Sequence, residues 1–213
     1  MLYQEIVLLL FLFMVFMSSC GSDNKSIEAP NTVINRDSLI STYQLQKGDI
    51  VLRKGNSIES EAVSLVDGNG KYSHIGIIMI QNDTPFVIHI VPDSLSSTVD
   101  YCLKQKLSTF FSVNNARYGC VLRLKNKDRK LTDSASFHAM EFYRNKVTFD
   151  GAYDINTDDK MYCTELVWKA YRINNFDIID GKISNVNLPF LSNKAILPST
   201  FLYSPYLENI YYF

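Results

Sequence analysis

Met161-Tyr-Cys-Thr-Glu-Leu-Val-Trp-Lys-Ala170 is the stretch on which the fold turns. Leu166, Val167, Ala170 and Ile173 recur at helical spacing, which predicts an amphipathic helix with those side chains toward a core. Cys163 then falls in or just before the first turn. Unpaired backbone N–H groups and the positive end of the helix dipole favour thiolate there, which predicts a lowered pKa. A thiolate is the nucleophile that cysteine hydrolases use. A cysteine on a helix is otherwise a small buried hydrophobe, and two histidines upstream favour the chemical reading.

Those histidines lie in adjacent apolar runs. Ser73-His-Ile-Gly-Ile-Ile-Met-Ile80 and Phe86-Val-Ile-His-Ile-Val91 both read as strands, and their near-continuous apolarity predicts burial on both faces. Gln81 to Pro85 is turn-like, so the two form a hairpin. His74 and His89 are 15 residues apart. With a turn centred between Gln81 and Asn82 they sit directly opposite. With a turn nearer Asp83-Thr84 they share a face but lie further apart.

The remaining elements frame this pair. Gly48-Asp49 breaks the chain before a short strand at Ile50 to Arg53, with Asp49 as a turn residue bonding nearby backbone. Ser57 to Val66 is a short amphipathic helix with Ile58, Ala62, Leu65 and Val66 at helical spacing, ended by Asp67-Gly-Asn-Gly70. Val99 to Phe111 suggests a helix followed by a loop, and Tyr118 to Leu124 a third core strand. Leu131 to Lys146 predicts a helix capped by Thr132 or Asp133, with Ala135, Ala139, Phe142 and Tyr143 inward and His138 at the surface or behind the site. Thr148 to Asp154 is a loop carrying Tyr153, a candidate donor to a reacting oxygen. Beyond Asn174 the chain is loop-rich, and Ile196 to Phe201 suggests a strand or wrapping segment.

The 213 residues suffice for one sizeable domain with a leader. Hydrophobic residues make up 46% and charged residues 20%, which is globular composition, and 13 Tyr with 13 Phe suit a β-containing fold. Net charge is −1 with no basic block, which argues against a nucleic-acid partner. No CxxC or HExxH spacing and no phosphate-binding glycine loop occur, so neither metal nor cofactor is expected.

Ile6 to Met17 is an apolar run of 12 residues, shorter than a membrane span and fitting a signal-peptide core. Ser18-Ser19-Cys20 after it resembles the lipobox of bacterial lipoproteins. Met17 stands where leucine is usual, and the leader's start lacks Lys or Arg. The resemblance implies cleavage before Cys20 and its lipidation. The expected division is a signal peptide at 1–19, a lipid-anchored tether at 20–42 and a catalytic domain at 43–213. Cys102 and Cys120 are either a disulfide or two buried free thiols.

A cysteine at a helix start, a histidine opening a core strand and a polar residue on the next strand make a nucleophile, a base and an orienter, the parts of an acyl-transfer site. The Cys163 amide is available as an oxyanion-hole donor. At these residues the chain resembles the circularly permuted NlpC-type papain-like cysteine hydrolases, in their YiiX-like (YaeF-like) branch. The likeness is carried by Gly48-Asp-Ile-Val-Leu-Arg53, Tyr72-Ser-His-Ile-Gly-Ile77, Ala152-Tyr-Asp154 and Tyr162-Cys-Thr-Glu-Leu-Val167. The order is diagnostic, because here the histidine strands precede the cysteine helix. The resemblance implies an α+β fold, with an antiparallel sheet or small barrel packed on the cysteine helix. It also implies a catalytic Cys163, a base His74, His89 as the third group and an active-site Tyr153. Many members carry glutamate where His89 stands.

The expected function is a cell-envelope lipoprotein that cleaves amide bonds through a cysteine thioester, with cell-wall peptides as substrates and a lipid anchor to the membrane. Acyl transfer or lipid acyl hydrolysis by the same pair is the second reading, since permuted relatives include lecithin retinol acyltransferase-like enzymes. An inactive binding module is the third.

Overall fold

A computed structural model describes residues 44–68, 70–92, 101–126, 128–186 and 194–213. The expected leader, Cys20 and tether lie outside the described residues. In chain order the elements are β1 (Ile50–Lys54), α1 (Ile58–Val66), β2 (His74–Gln81), β3 (Thr84–His89), β4 (Leu103–Lys106), α2 (Leu107–Phe110) and β5 (Tyr118–Leu124). They continue with α3 (Arg129–Arg144), β6 (Thr148–Phe149), β7 (Lys160–Met161), α4 (Cys163–Arg172), β8 (Ser184–Asn185), β9 (Lys194–Ala195), α5 (Pro198–Leu202) and β10 (Leu207–Tyr212).

Six strands form one sheet in the order β10-β5-β1-β2-β3-β4, and every neighbouring pair is antiparallel. The sheet is open, with β10 and β4 as its edges, and the fold is α+β as the sequence predicts. Alternation along each strand divides the side chains between two faces. Ile50, Leu52, Ile75, Ile77 and Leu122 face α3 and α4 and form the main core with Ala135, Ala139, Leu166, Val167 and Tyr171. Val51, Ile78, Val87 and Val121 point the other way, against Leu107, Phe110 and Phe111. Cover on both faces is why β2 and β3 read as unbroken apolar runs.

Asp49 fixes the entry to β1. Its carboxylate accepts the Gln46 amide at 2.8 Å, as a turn residue should. It also takes a two-pronged ion pair from Arg123 Nε and Nη2, at 2.8 and 2.6 Å. In α4, Leu166, Val167 and Ala170 are buried as expected, but Ile173 is half exposed, because the helix ends at Arg172 and Tyr171 fills the core instead.

Other expectations need correction. Of the expected 99–111 helix and loop, the described part, 101–111, holds β4 and the single turn α2, because the segment pairs with the free edge of β3. Asp128, not Thr132 or Asp133, caps α3. Ser136 takes the inward place expected of Tyr143 and donates to the Ile78 carbonyl at 3.0 Å. Of the two readings of Ile196 to Phe201, strand or wrapping segment, the strand is excluded, since Pro198 opens the short helix α5. The helix α1 turns its apolar stripe outward, with Ile58 86% and Leu65 82% exposed. The cause is Lys54, buried at the end of β1, whose ammonium must be given oxygens. Ser60 O (3.3 Å), Ser64 Oγ (2.5 Å) and Glu61 Oε2 (2.9 Å) supply them from the helix's polar side.

Candidate active site

The hairpin sets the histidine geometry. Gln81 pairs with Thr84, which leaves Asn82-Asp83 as a two-residue turn with both φ positive, at 48° and 58°. The register places Ile77 opposite Ile88, so continued pairing sets Gly76, not His74, across from His89. The histidines therefore share a face and sit one diagonal step apart, between the two arrangements the sequence allows. That diagonal is within reach of long side chains, and His74 Nε2 meets His89 Nδ1 at 2.8 Å. Gly76 lies between them in the strand. A Cβ there would stand 2.4 Å from Val87 Cγ1 and 3.1 Å from His89 Cβ. The missing side chain is what lets the hairpin close around the two rings.

Sequence reading missed three groups around this pair. Arg53 is opposite His74 across the β1–β2 ladder. Its Nη1 donates to the Phe110 carbonyl at 2.7 Å, and its guanidinium carbon lies 4.4 Å from the centre of the Phe110 ring. Phe110 itself packs on both imidazoles, at 5.7 and 5.2 Å between ring centres. Gln105 of β4 shares the face of His89, and its Oε1 and His89 Nε2 approach each other without the geometry of a formed hydrogen bond. A glycine inside an apolar strand two residues from a histidine was the one legible signal of a close approach. Nothing local marked Arg53 or Gln105. Burial, with the Arg53 charge second, pushes both imidazoles down, His89 to about 3 and His74 well below its ordinary value. Both rings are neutral at neutral pH.

Cys163 stands at the first position of α4. Glu165 accepts the Tyr162 amide at 3.2 Å and closes the helix start. The same turn is pinned from outside: Ile196 N–H donates to Tyr162 Oη at 2.9 Å, and Thr164 Oγ1 donates to Ile196 O at 2.6 Å. The amides of Ile75, Thr164 and Cys163 itself, together with the Arg53 charge, favour negative charge on the sulfur. Ile75 is the residue after His74, so the thiol is held against the opening of β2. The expected lowering of its pKa is overturned. Amides and Arg53 do pull it down, but burial is stronger and pushes the thiol up to about 11. The resting state is a neutral thiol beside neutral imidazoles.

Tyr153 reaches the same place on a loop built by Asp150. That carboxylate accepts the amides of Ala152 at 2.9 Å and Asp154 at 2.6 Å. Tyr153 is held in left-handed backbone, φ 56°, and packs on Phe149 and Tyr162. Such strain persists where surroundings over-determine it, often at functional sites. Burial and the neighbouring Cys163 raise its hydroxyl to about 12, so it remains a donor.

His138 packs edge-on against Phe137 on α3, outside this set. Cys102 and Cys120 are buried free thiols, not a disulfide, and burial raises them to about 12 and about 11. Among the described residues no group of three or more His, Cys, Asp or Glu is placed to hold a metal ion. Nor is any described helix long and apolar enough to cross a membrane.

Histidine strands before a cysteine helix, joined to an antiparallel sheet, define a permuted papain-like hydrolase. The sequence pattern of the permuted papain-like amidases, the YaeF/YiiX C92 family, matches residues 44–211, and the chain belongs to that family of cysteine hydrolases. It is 25% identical over 130 residues to the uncharacterised protein YiiX of Escherichia coli K12, a match covering 61% of this chain and 59% of that protein. The chain thus spans well under two thirds of the relative's length. A crystal structure titled metalloprotein YiiX, from Escherichia coli O157:H7, shares the fold. It has a TM-score of 0.66 and 19% identity, over 79% of this chain and 98% of that one.

Proposed function

We propose that the protein hydrolyses amide bonds by way of a Cys163 thioester, with His74 as base and His89 as the group that orients it. The observation that carries this reading is the 2.8 Å contact between His74 Nε2 and His89 Nδ1, beside a thiol held by the Ile75 amide. With both rings neutral, the protons have one consistent arrangement. His89 turns Nε2–H toward Gln105 Oε1, leaving Nδ1 free to accept from His74 Nε2–H. His74 Nδ1 then keeps its lone pair and takes the Cys163 proton as sulfur attacks the carbonyl. The resulting imidazolium is a strong acid in this buried setting and protonates the departing amine. Backbone amides at the start of α4, with the Tyr153 hydroxyl, are the donors for the oxyanion. Water then releases the acid product through the same histidine.

The substrates in this proposal are cell-wall peptides, met at the cell envelope by a protein tethered through a lipid on Cys20. The leader pattern at residues 1–20 supports that location. The test is alkylation of Cys163 by iodoacetamide, read against the internal standards Cys102 and Cys120, in wild type and His74→Ala. Cys163 is expected to react fastest and to slow at least about tenfold in the variant, the usual scale of general base assistance being larger still. Equal rates in the two proteins would remove His74 from the mechanism. Muropeptides and acyl lipids, incubated in parallel, separate amidase from lipid chemistry by which one is consumed.

A further inference from the structure

Three cations lie along or beside β1, and two are matched. Lys54 pairs with Glu61 at 2.9 Å, and Arg123 with Asp49 at 2.6 Å. Arg53 has no such partner among the described residues. Its contacts are the Phe110 carbonyl and ring, and its buried Nε is left without an acceptor. An unmatched charge in a buried setting is costly, and this one stands opposite His74 in the ladder, against the Phe110 carbonyl and ring. Its charge disfavours protonation of His74 and His89 and favours negative charge on Cys163.

We infer that Arg53 is the electrostatic partner of Cys163: a positioning residue whose guanidinium offsets the negative charge that appears on sulfur and then on the oxyanion. The missing anion is supplied by the reaction itself. The same charge disfavours imidazolium at His74, so the proton taken from Cys163 is passed quickly to the leaving amine. Phe110 keeps the guanidinium in place by stacking and through its carbonyl, without neutralising it. This inference rests on the hydrolase reading of Cys163 and His74.

The test uses the full chain and two alkylating agents of similar size, anionic iodoacetate and neutral iodoacetamide, with labelling at Cys163 measured by mass spectrometry. The readout is the iodoacetate-to-iodoacetamide rate ratio, compared with that of glutathione. A fixed cation raises this ratio in the wild type. Arg53→Gln and Arg53→Met should lower it by about tenfold, the scale of one charge acting through a partly screened interior, while Arg53→Lys retains most of it. A ratio unchanged in the neutral variants overturns the inference. So does a wild-type ratio no higher than that of glutathione, which needs no folded variant. His74→Ala, measured alongside, keeps the questions apart. If its Cys163 labelling rate with iodoacetamide equals wild type, the hydrolase reading fails. The charge ratio judges Arg53 alone.

Discussion

The two faces of the central sheet are made by the same strands and do different work. Ile75 and Ile77 of β2 point at α3 and α4 into an aliphatic core. Their alternating neighbours, His74 and Gly76, point the other way, where Arg53, His89, Gln105 and Phe110 gather. One face is secured by burial of apolar area, which tolerates small shifts. The other holds polar groups away from water, where each must meet a partner in one geometry. Cys163 lies where the two meet, on a helix docked to the first face but with its sulfur at the amide that follows His74.

Substitutions sort by face. Cys163→Ala should abolish turnover of amide substrates, by about 10³-fold or more on the scale of other nucleophile deletions, while leaving the thermal midpoint close to wild type. A large loss of stability instead would mean that Cys163 serves mainly the core. Leu166→Ala does the reverse. It should cost about 3 kcal/mol in urea unfolding and leave the Cys163 alkylation rate of the folded fraction little changed. A matching collapse in reactivity would show the two faces to be coupled. Gly76→Ala touches both, since its Cβ meets Val87 on the site face. We expect about 2 kcal/mol of destabilisation from overpacking and loss of the imidazole contact, seen as a changed histidine pattern by nitrogen NMR.

The smallest effect is on pH. His89 is held at about 3 in the folded protein, against an unfolded value near 6.5. The unfolded chain therefore binds a proton first as pH falls. Stability from this group is fully present above pH 6.5 and is lost as pH drops through the window toward 3, by up to about 1.4 kcal/mol per pH unit. Urea midpoints at pH 7 and pH 5 should differ more in wild type than in His89→Gln. Equal slopes would show that the His89 site is open to water.

Periodicity alone determined much of this protein. While the α+β class came from the family resemblance, the hairpin, the cysteine helix and the shared face of His74 and His89 follow from which side chains alternate every two residues and which recur every three or four. So did the motif pair around His74 and Cys163, because functional types at a strand start and a helix start are local patterns. What tertiary structure alone decided were quantities that depend on what sits opposite. Helix α1 has a legible apolar stripe, yet buried Lys54 turned its serines inward and Ile58 and Leu65 to solvent. Cys163 has the helix start that favours a thiolate, yet packing around the sulfur outweighs the amides and keeps it a thiol. Arg53 and Gln105 became part of the site only when β1 and β4 were laid beside the histidine hairpin. A side chain's face can be read along one strand. Its charge state and its partners are set by neighbours that are far away in the chain, because burial and Coulomb interactions act through space.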